Sequence, residues 1–153
     1  MSPELVNQSI KELAPLIRDR KISPVELTKS VLDQIEAYND SLNAYINVLH
    51  DEAINEAKKA EREIMQGNYR GPFHGIPMGM KDNIYFKDQT TTMGSRIHKN
   101  FVPSFDATVI KRLREAGVIF TGKLNLHEYA LGITTNNPFF GPCRNPWDAE
   151  KIP

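Results

Sequence analysis

A strand, a helix and a second strand follow one another between residues 76 and 120, and this order most constrains the fold. Apolar residues alternate with small or polar ones in the first strand, at Ile76, Met78 and Met80. A helix is predicted from Asp106 as its N-cap to Gly117 as its stop, and Val118–Phe120 form the second apolar run. A helix between two strands favours parallel strands in an α/β sheet.

Three helices are predicted before this sheet. Ser9 and Glu12 have the spacing of a capping box at the start of the first helix, and Pro15 should keep that helix short or bend it. The second helix has a stronger N-terminal signal in Ser23–Glu26, where a serine N-cap is followed by proline and, three residues after the cap, by glutamate.

The third helix is predicted over residues 51–66, because small and apolar side chains recur at helical spacing: Ala53, Ala57, Ala60 and Ile64. Gly67 ends this helix, and glycine and proline are frequent from there to the first strand. We therefore expect two regions, a helical region over residues 1–66 and the start of an α/β core over residues 67–153.

The remaining segments are predicted from turn chemistry. Residues 87–104 are polar and too long for a simple connection, and loops of that length are often functional or mobile. A short helix is predicted after Asn125, through Leu126 to Leu131. Only turns are predicted from Gly132 to Pro153.

Charge and cysteine content exclude several functional classes. The 153 residues include 19 basic and 19 acidic side chains, so the formal net charge is +0. Charge-driven binding to nucleic acid or to a membrane surface is therefore not expected. Cys143 is the single cysteine, which fits a reducing compartment. The sequence shows neither a secretory signal nor a bilayer-spanning apolar run, so we expect a cytoplasmic protein.

The motifs that could bind a cofactor or a metal are incomplete. Gly117–Lys123 matches the opening of a phosphate-binding loop, but Leu124 stands where such a loop needs Ser or Thr, and the residues between the glycines suit a buried strand. A zinc helix that begins at His127 would need a second histidine where Leu131 stands. Cys143 lies in a turn-rich stretch and is interpreted as an incidental thiol. No ligand spacing relates the histidines His50, His74, His98 and His127. We expect no cofactor and no metal.

Lys81 is the more informative candidate. It closes the first predicted strand on the same side as Pro77 and Gly79, whose small side chains leave room for other parts of the chain to approach. A lysine held in an apolar surrounding loses its proton readily and can serve as a general base. The pattern alone leaves open the alternative that Lys81 ends the strand in water.

Five motifs, in one order along the chain, resemble those of the amidase signature family. They are GIPMGMKDN at Gly75–Asn83, TTTMGS at Thr90–Ser95, DATV at Asp106–Val109, GKLNLHE at Gly122–Glu128 and RNPWD at Arg144–Asp148. The helix start SPVEL at Ser23–Leu27 extends the similarity over nearly the whole chain. The strand-end Lys-Asp-Asn and the Arg-Asn-Pro-Trp turn are specific in combination.

This resemblance implies a fold in which N-terminal helices precede the first strands and helices of the family's mixed α/β sheet. It also implies a hydrolase that cleaves carboxamide C–N bonds through a lysine, a bridging serine and a nucleophilic serine. Lys81 occupies the position of that catalytic lysine. The implied substrate is a small amide.

The sequence ends at Pro153, just before the Gly/Ser-rich stretch that carries the bridging serine in the family. The chain therefore resembles only the N-terminal part of such an enzyme, and we expect a truncated core. Because Lys81 would have no hydroxyl partner, we expect no amide hydrolysis by this chain alone. An open sheet edge and uncovered apolar surface should promote self-association.

Two alternatives to a stand-alone amidase remain. One is the A subunit of aspartyl/glutamyl-tRNA amidotransferase, a glutaminase of the same family that would need the B and C subunits as partners. That protein typically carries Ser-Ser-Thr-Glu where this chain has Ile133–Asn136, and the mismatch favours the general amidase. The other alternative is a non-catalytic remnant or partner-binding module.

Overall fold

The computed structural model describes residues 5–153. The elements of this described part, in chain order, are α1 (Ile10–Arg18), α2 (Pro24–Leu42), β1 (Tyr45–Val48), α3 (His50–Met65), β2 (Pro77–Lys81), α4 (Thr108–Glu115), β3 (Ile119–Leu124), β4 (Asn136–Asn137) and β5 (Gly141–Pro142). Short 3₁₀ turns lie at Leu5–Asn7, Arg96–His98 and Glu128–Ala130. This order confirms the mixed α/β fold that the sequence predicts.

Side-chain caps define the first helices, as predicted. The backbone N–H of Ser9 donates to the Glu12 carboxylate at 2.8 Å, and α1 then runs through Pro15 for only nine residues. At the start of α2, Ser23 Oγ accepts hydrogen bonds from the N–H groups of Val25 at 3.0 Å and Glu26 at 3.3 Å. These bonds satisfy backbone N–H groups at the start of a helix, which have no acceptor within the helix itself.

The chain divides into two compact units. One comprises the described residues up to Gln34 together with Leu49–Met78 and Arg112–Thr121, and the other comprises Ile35–Val48, Gly79–Lys111 and Gly122–Pro153. The core of the first unit contains Leu5, Leu13, Ile17, Leu27, Ile64 and Ile76. The predicted small-residue stripe of α3 is buried in the same unit, at Ala53, Ala57 and Ala60.

A three-stranded sheet has the order β1-β3-β2. β1 is antiparallel to β3, with Tyr45 opposite Leu124 and Val48 opposite Gly122. Ile119 N–H donates to the Ile76 carbonyl at 2.9 Å, and Asp82 N–H donates to the Leu124 carbonyl at 3.1 Å. From the first hydrogen bond to the second, the residue number rises in both strands, so β2 and β3 are parallel. Helix α4 lies in the crossover between them, as predicted.

The start of α4 differs from the prediction. The helix begins at Thr108, and the Asp106 carboxylate accepts a hydrogen bond from the Lys87 N–H at 2.7 Å. Asp106 therefore joins the helix start to the beginning of the long polar loop. Within α4, the side chain of Ile110 is buried, whereas that of Val109 is exposed.

The predicted helix over Leu126–Leu131 does not form. The Leu126 carbonyl, which a helical Ala130 N–H would use, accepts the Asn137 side-chain amide at 2.9 Å. Tyr129 N–H donates to the Met93 carbonyl at 2.8 Å, and Tyr129 and Ala130 both have positive φ. Tertiary hydrogen bonds therefore replace the helical ones, and only a 3₁₀ turn remains.

The C-terminal segment contains more than turns. β4 and β5 form an antiparallel hairpin in which Asn137 opposes Gly141. The Asn137 carboxamide oxygen accepts from the N–H groups of Phe139 at 2.8 Å and Phe140 at 2.9 Å, which closes the hairpin turn. None of the helices within residues 5–153 is long and apolar enough to cross a lipid bilayer.

Candidate functional site

Lys81 is the last residue of β2, and its side chain is exposed. The next residue, Asp82, is buried with 1% of its surface exposed, because successive side chains of an extended chain point to opposite faces. Within residues 5–153, no carboxylate forms an ion pair with the Lys81 ammonium. The described residues therefore leave the Lys81 ammonium accessible to solvent, which is one of the two alternatives that the sequence pattern left open.

Gly79 leaves space on the face of β2 that carries Lys81. A Cβ atom at Gly79 would lie 2.7 Å from the Tyr45 hydroxyl oxygen and 2.8 Å from Leu124 Cδ2. Tyr45 and Leu124 would have to shift to admit that atom, so side chains from β1 and β3 occupy the space that a larger residue would need. The close approach predicted for this face is therefore present.

A buried ionic cluster lies behind Lys81. Asp82 Oδ1 is 3.3 Å from Lys123 Nζ, and both side chains are almost fully removed from solvent. The other carboxylate oxygen of Asp82 accepts hydrogen bonds from the Thr92 N–H, at 2.9 Å, and from the Thr92 hydroxyl. The carboxylate is thus held by one cation and one residue of the polar loop.

Lys123 contacts the segment that follows Lys81 at two more points. Its ammonium donates to the Ile84 carbonyl and to Thr91 Oγ1, both at 2.9 Å, and lies 5.9 Å from the centre of the Phe86 ring. Burial lowers the pKa of Lys123, and the neighbouring Asp82 carboxylate opposes that effect.

No motif in the sequence indicated this cluster. Lys123 was part of a phosphate-binding pattern and of the family motif Gly122–Glu128, whereas the structure places Gly122 and Lys123 inside β3. Gly122 approaches the Asn47 carbonyl so closely that a Cβ would lie 2.3 Å from its oxygen. A backbone in this position pairs with a strand and does not wrap a phosphate, so the interpretation of this segment as a buried strand is confirmed.

The other candidates are not brought together into a site. His127 Nδ1 lies 3.3 Å from the Thr134 hydroxyl, and Cys143 is half-buried, with the pKa of its thiol raised by burial. A raised pKa disfavours the nucleophilic thiolate. Among the described residues, no three His, Cys, Asp or Glu side chains converge as metal ligands.

A family model described as Amidase matches residues 26–153. The chain belongs to the amidase family. The match covers most of the chain, including both strands of the predicted crossover, and the resemblance drawn from the five motifs is confirmed.

The curated relatives include the A subunits of an amidotransferase. The A subunit of glutamyl-tRNA(Gln) amidotransferase from Carboxydothermus hydrogenoformans is 41% identical over 150 residues, which are 98% of this chain and 31% of the relative. Its counterpart from Geobacter sp. strain M21 is 42% identical over the same shares of the two proteins. The chain therefore spans about a third of the length of these relatives.

Solved amidase structures share the fold. The native peptide amidase from Stenotrophomonas maltophilia superimposes with a TM-score of 0.85 at 32% identity, over 94% of this chain and 31% of the amidase. The helices and the mixed sheet described above are thus those of an amidase-signature enzyme over the matched part.

Proposed function

We propose that this chain is the N-terminal part of an amidase that cleaves carboxamide C–N bonds, with Lys81 as its catalytic lysine. Family membership over residues 26–153 supports the reaction class. The observation that carries the role of Lys81 is its position at the end of β2, in the Gly75–Asn83 motif that the resemblance assigns to the catalytic lysine and inside the residues that the family model matches. Its exposed amine is accessible to a hydroxyl group from another part of the enzyme.

The proposed chemistry begins with Lys81 as the unprotonated amine. It accepts the proton of a bridging serine, which in turn takes the proton of the nucleophilic serine. The nucleophilic oxygen attacks the amide carbonyl carbon, the bridging serine passes the proton it took to the amide nitrogen, the C–N bond breaks, and the nitrogen leaves as ammonia or an amine. Water then hydrolyses the acyl ester and frees the acid. We place both serines outside this chain, which alone is therefore inactive.

Two further proposals concern organisation and location. Residues 1–66 form a helical region in front of the amidase core, which begins with residues 67–153. The protein is cytoplasmic, which its single cysteine supports.

The test is an assay of ammonia release from a panel of small carboxamides, using the longest polypeptide that the coding sequence specifies around this chain. Lys81→Ala should lower kcat/KM by about 10²–10⁴-fold, the usual contribution of a general base. Lys111→Ala, at an exposed position in α4, is the matched control and should leave kcat/KM unchanged. Full activity of the Lys81→Ala variant, or clear turnover by the 153-residue chain, would contradict the proposal.

A second candidate function is the glutaminase activity of an amidotransferase, carried by its A subunit. The observation in its favour is the identity of 41–42% to two such proteins. The segment Ile133–Asn136, which lacks the Ser-Ser-Thr-Glu run, favours the stand-alone amidase. Ammonia release from L-glutamine that requires added B and C subunits would establish the second candidate, and hydrolysis of simple amides without them would exclude it.

A further inference from the structure

The peptide unit that follows Lys81 is fixed through nearly all of its polar groups. The Lys81 carbonyl accepts from the Ile84 N–H at 3.0 Å, and the Asp82 N–H donates to the Leu124 carbonyl at 3.1 Å. The Asp82 carbonyl accepts from the Met93 N–H at 3.0 Å. The direction in which the Lys81 side chain leaves the strand is therefore set without any contact to that side chain.

The buried ionic cluster of Asp82 and Lys123 further restrains the backbone that follows Lys81. The Lys123 ammonium contacts Asp82, the Ile84 carbonyl and the Thr91 hydroxyl, and all three belong to the ten residues that follow Lys81. Thr92 holds the second oxygen of the Asp82 carboxylate from the same loop. The Lys123 side chain, which comes from β3, therefore binds the segment after Lys81 at three points.

A buried ion pair at the end of a strand carries a desolvation cost. Apolar residues of similar volume stabilise a protein interior as well or better, because a charged pair loses its hydration. A buried charged pair adds geometric specificity, because its two charges and their hydrogen bonds are compensated in only a few arrangements of the chain. We propose that Asp82 and Lys123 are positioning residues that aim the Lys81 amine toward its hydroxyl partner. This inference rests on the proposed catalytic role of Lys81.

The decisive variant removes both charges together. Asp82→Asn with Lys123→Met leaves an amide oxygen for the Thr92 hydrogen bonds and no unpaired charge in the interior. In the longest encoded polypeptide, the folded double variant should lose about tenfold to a hundredfold in kcat with KM unchanged, because small misplacements of a reacting group cost rates of that order. A role in folding alone would leave kcat of the folded enzyme intact.

The matched control is a second polar contact that involves a buried residue. Glu63 Oε2 lies 3.1 Å from Nε2 of the buried His74 in the other compact unit, so Glu63→Gln perturbs a polar contact that the proposal does not involve. This variant should retain the kcat of the wild-type enzyme once it has folded, which is checked by circular dichroism.

Three outcomes separate the proposals. A double variant with the kcat of the wild type, beside an inactive Lys81→Ala variant, overturns the positioning role and leaves the proposed function standing. An active Lys81→Ala variant overturns the proposed function itself.

If the double variant does not fold, Thr92→Val takes its place, since it removes only the hydroxyl that binds Asp82. The expected loss in kcat is then about tenfold, and an unchanged kcat overturns the positioning role.

Discussion

Asp82 Oδ1 and Lys123 Nζ lie 3.3 Å apart, with 1% and 0% of their side chains exposed. The two residues come from the ends of adjacent parallel strands, and each compensates the buried charge of the other. The pair therefore couples the end of β2 to β3 more specifically than the backbone ladder alone does.

The first prediction concerns the cost of breaking this pair. Lys123→Met leaves the Asp82 carboxylate buried without a counter-charge and should lower the free energy of unfolding by about 3–5 kcal/mol. Adding Asp82→Asn should restore most of that loss, because no isolated charge remains. Urea unfolding curves of the two variants give the comparison.

The control for this prediction is an exposed pair. Lys59 Nζ and Glu56 Oε2 lie 3.9 Å apart with about half of each side chain in solvent, and Lys59→Met should cost less than about 1 kcal/mol. A double variant as unstable as Lys123→Met alone would show that the buried charges are not the source of the effect.

The second prediction compares two glycines with similar backbone angles. Gly117 and Gly67 have φ of +84° and +87°, but a Cβ at Gly117 would lie 2.3 Å from His74 Cδ2, whereas nothing lies within 4 Å at Gly67. Gly67→Ala should cost about 1–2 kcal/mol for the left-handed backbone alone. Gly117→Ala should cost about 1–3 kcal/mol more, because His74 must move. Equal losses in thermal or urea unfolding would contradict the steric argument.

Local signals in the sequence were sufficient for helices α1 to α4 and for the order β2, α4, β3, but not for β4 and β5. Ser23 defines the start of α2, because its hydroxyl oxygen accepts hydrogen bonds from the N–H groups of Val25 and Glu26, so four neighbouring residues determine the result. The same holds for the capping box at Ser9. Leu126–Leu131 shows the limit of local signals, because Asn137 takes the helical acceptor at Leu126 and the distant Met93 carbonyl takes the Tyr129 N–H.

The buried cluster could not be predicted from the spacing of residues. Its two charges meet only because β3 lies beside β2, and no local pattern determines which residues of two separated strands face each other. One signal was available: alternation after Lys81 turns Asp82 toward the interior, and a buried carboxylate requires a cation. Lys123, within the apolar run Ile119–Leu124, is the residue that such an argument would have selected.

The third prediction concerns the pH dependence of stability. His74 is buried, its Nδ1 accepts a hydrogen bond from the Arg70 N–H at 3.1 Å, and Nε2 faces Glu63. Burial, together with the Arg70 charge, lowers the pKa of His74, and Glu63 only partly opposes this. Because the unfolded chain then binds the proton first, the free energy of unfolding should fall as the pH drops below about 6.5.

Urea unfolding between neutral and mildly acidic pH measures this decline. His74→Gln removes the titrating group and should flatten it, whatever its effect on stability at neutral pH. His50→Gln, at a largely exposed position, should leave the decline unchanged. The same slope in the His74→Gln variant would assign the pH dependence to other groups.

The fourth prediction concerns association of this chain with itself. Several large apolar side chains of the second unit are almost fully exposed, namely Ile97, Leu131, Ile133 and Trp147, at 80–95%. Because apolar surface leaves water when two such chains meet, we expect concentration-dependent dimers or larger species in sedimentation velocity experiments. Leu131→Ser with Ile133→Ser should weaken the association, whereas Tyr38→Ser, at a half-exposed site in α2, should have a smaller effect. A compact monomer at every concentration tested would show that these side chains do not bind a second copy.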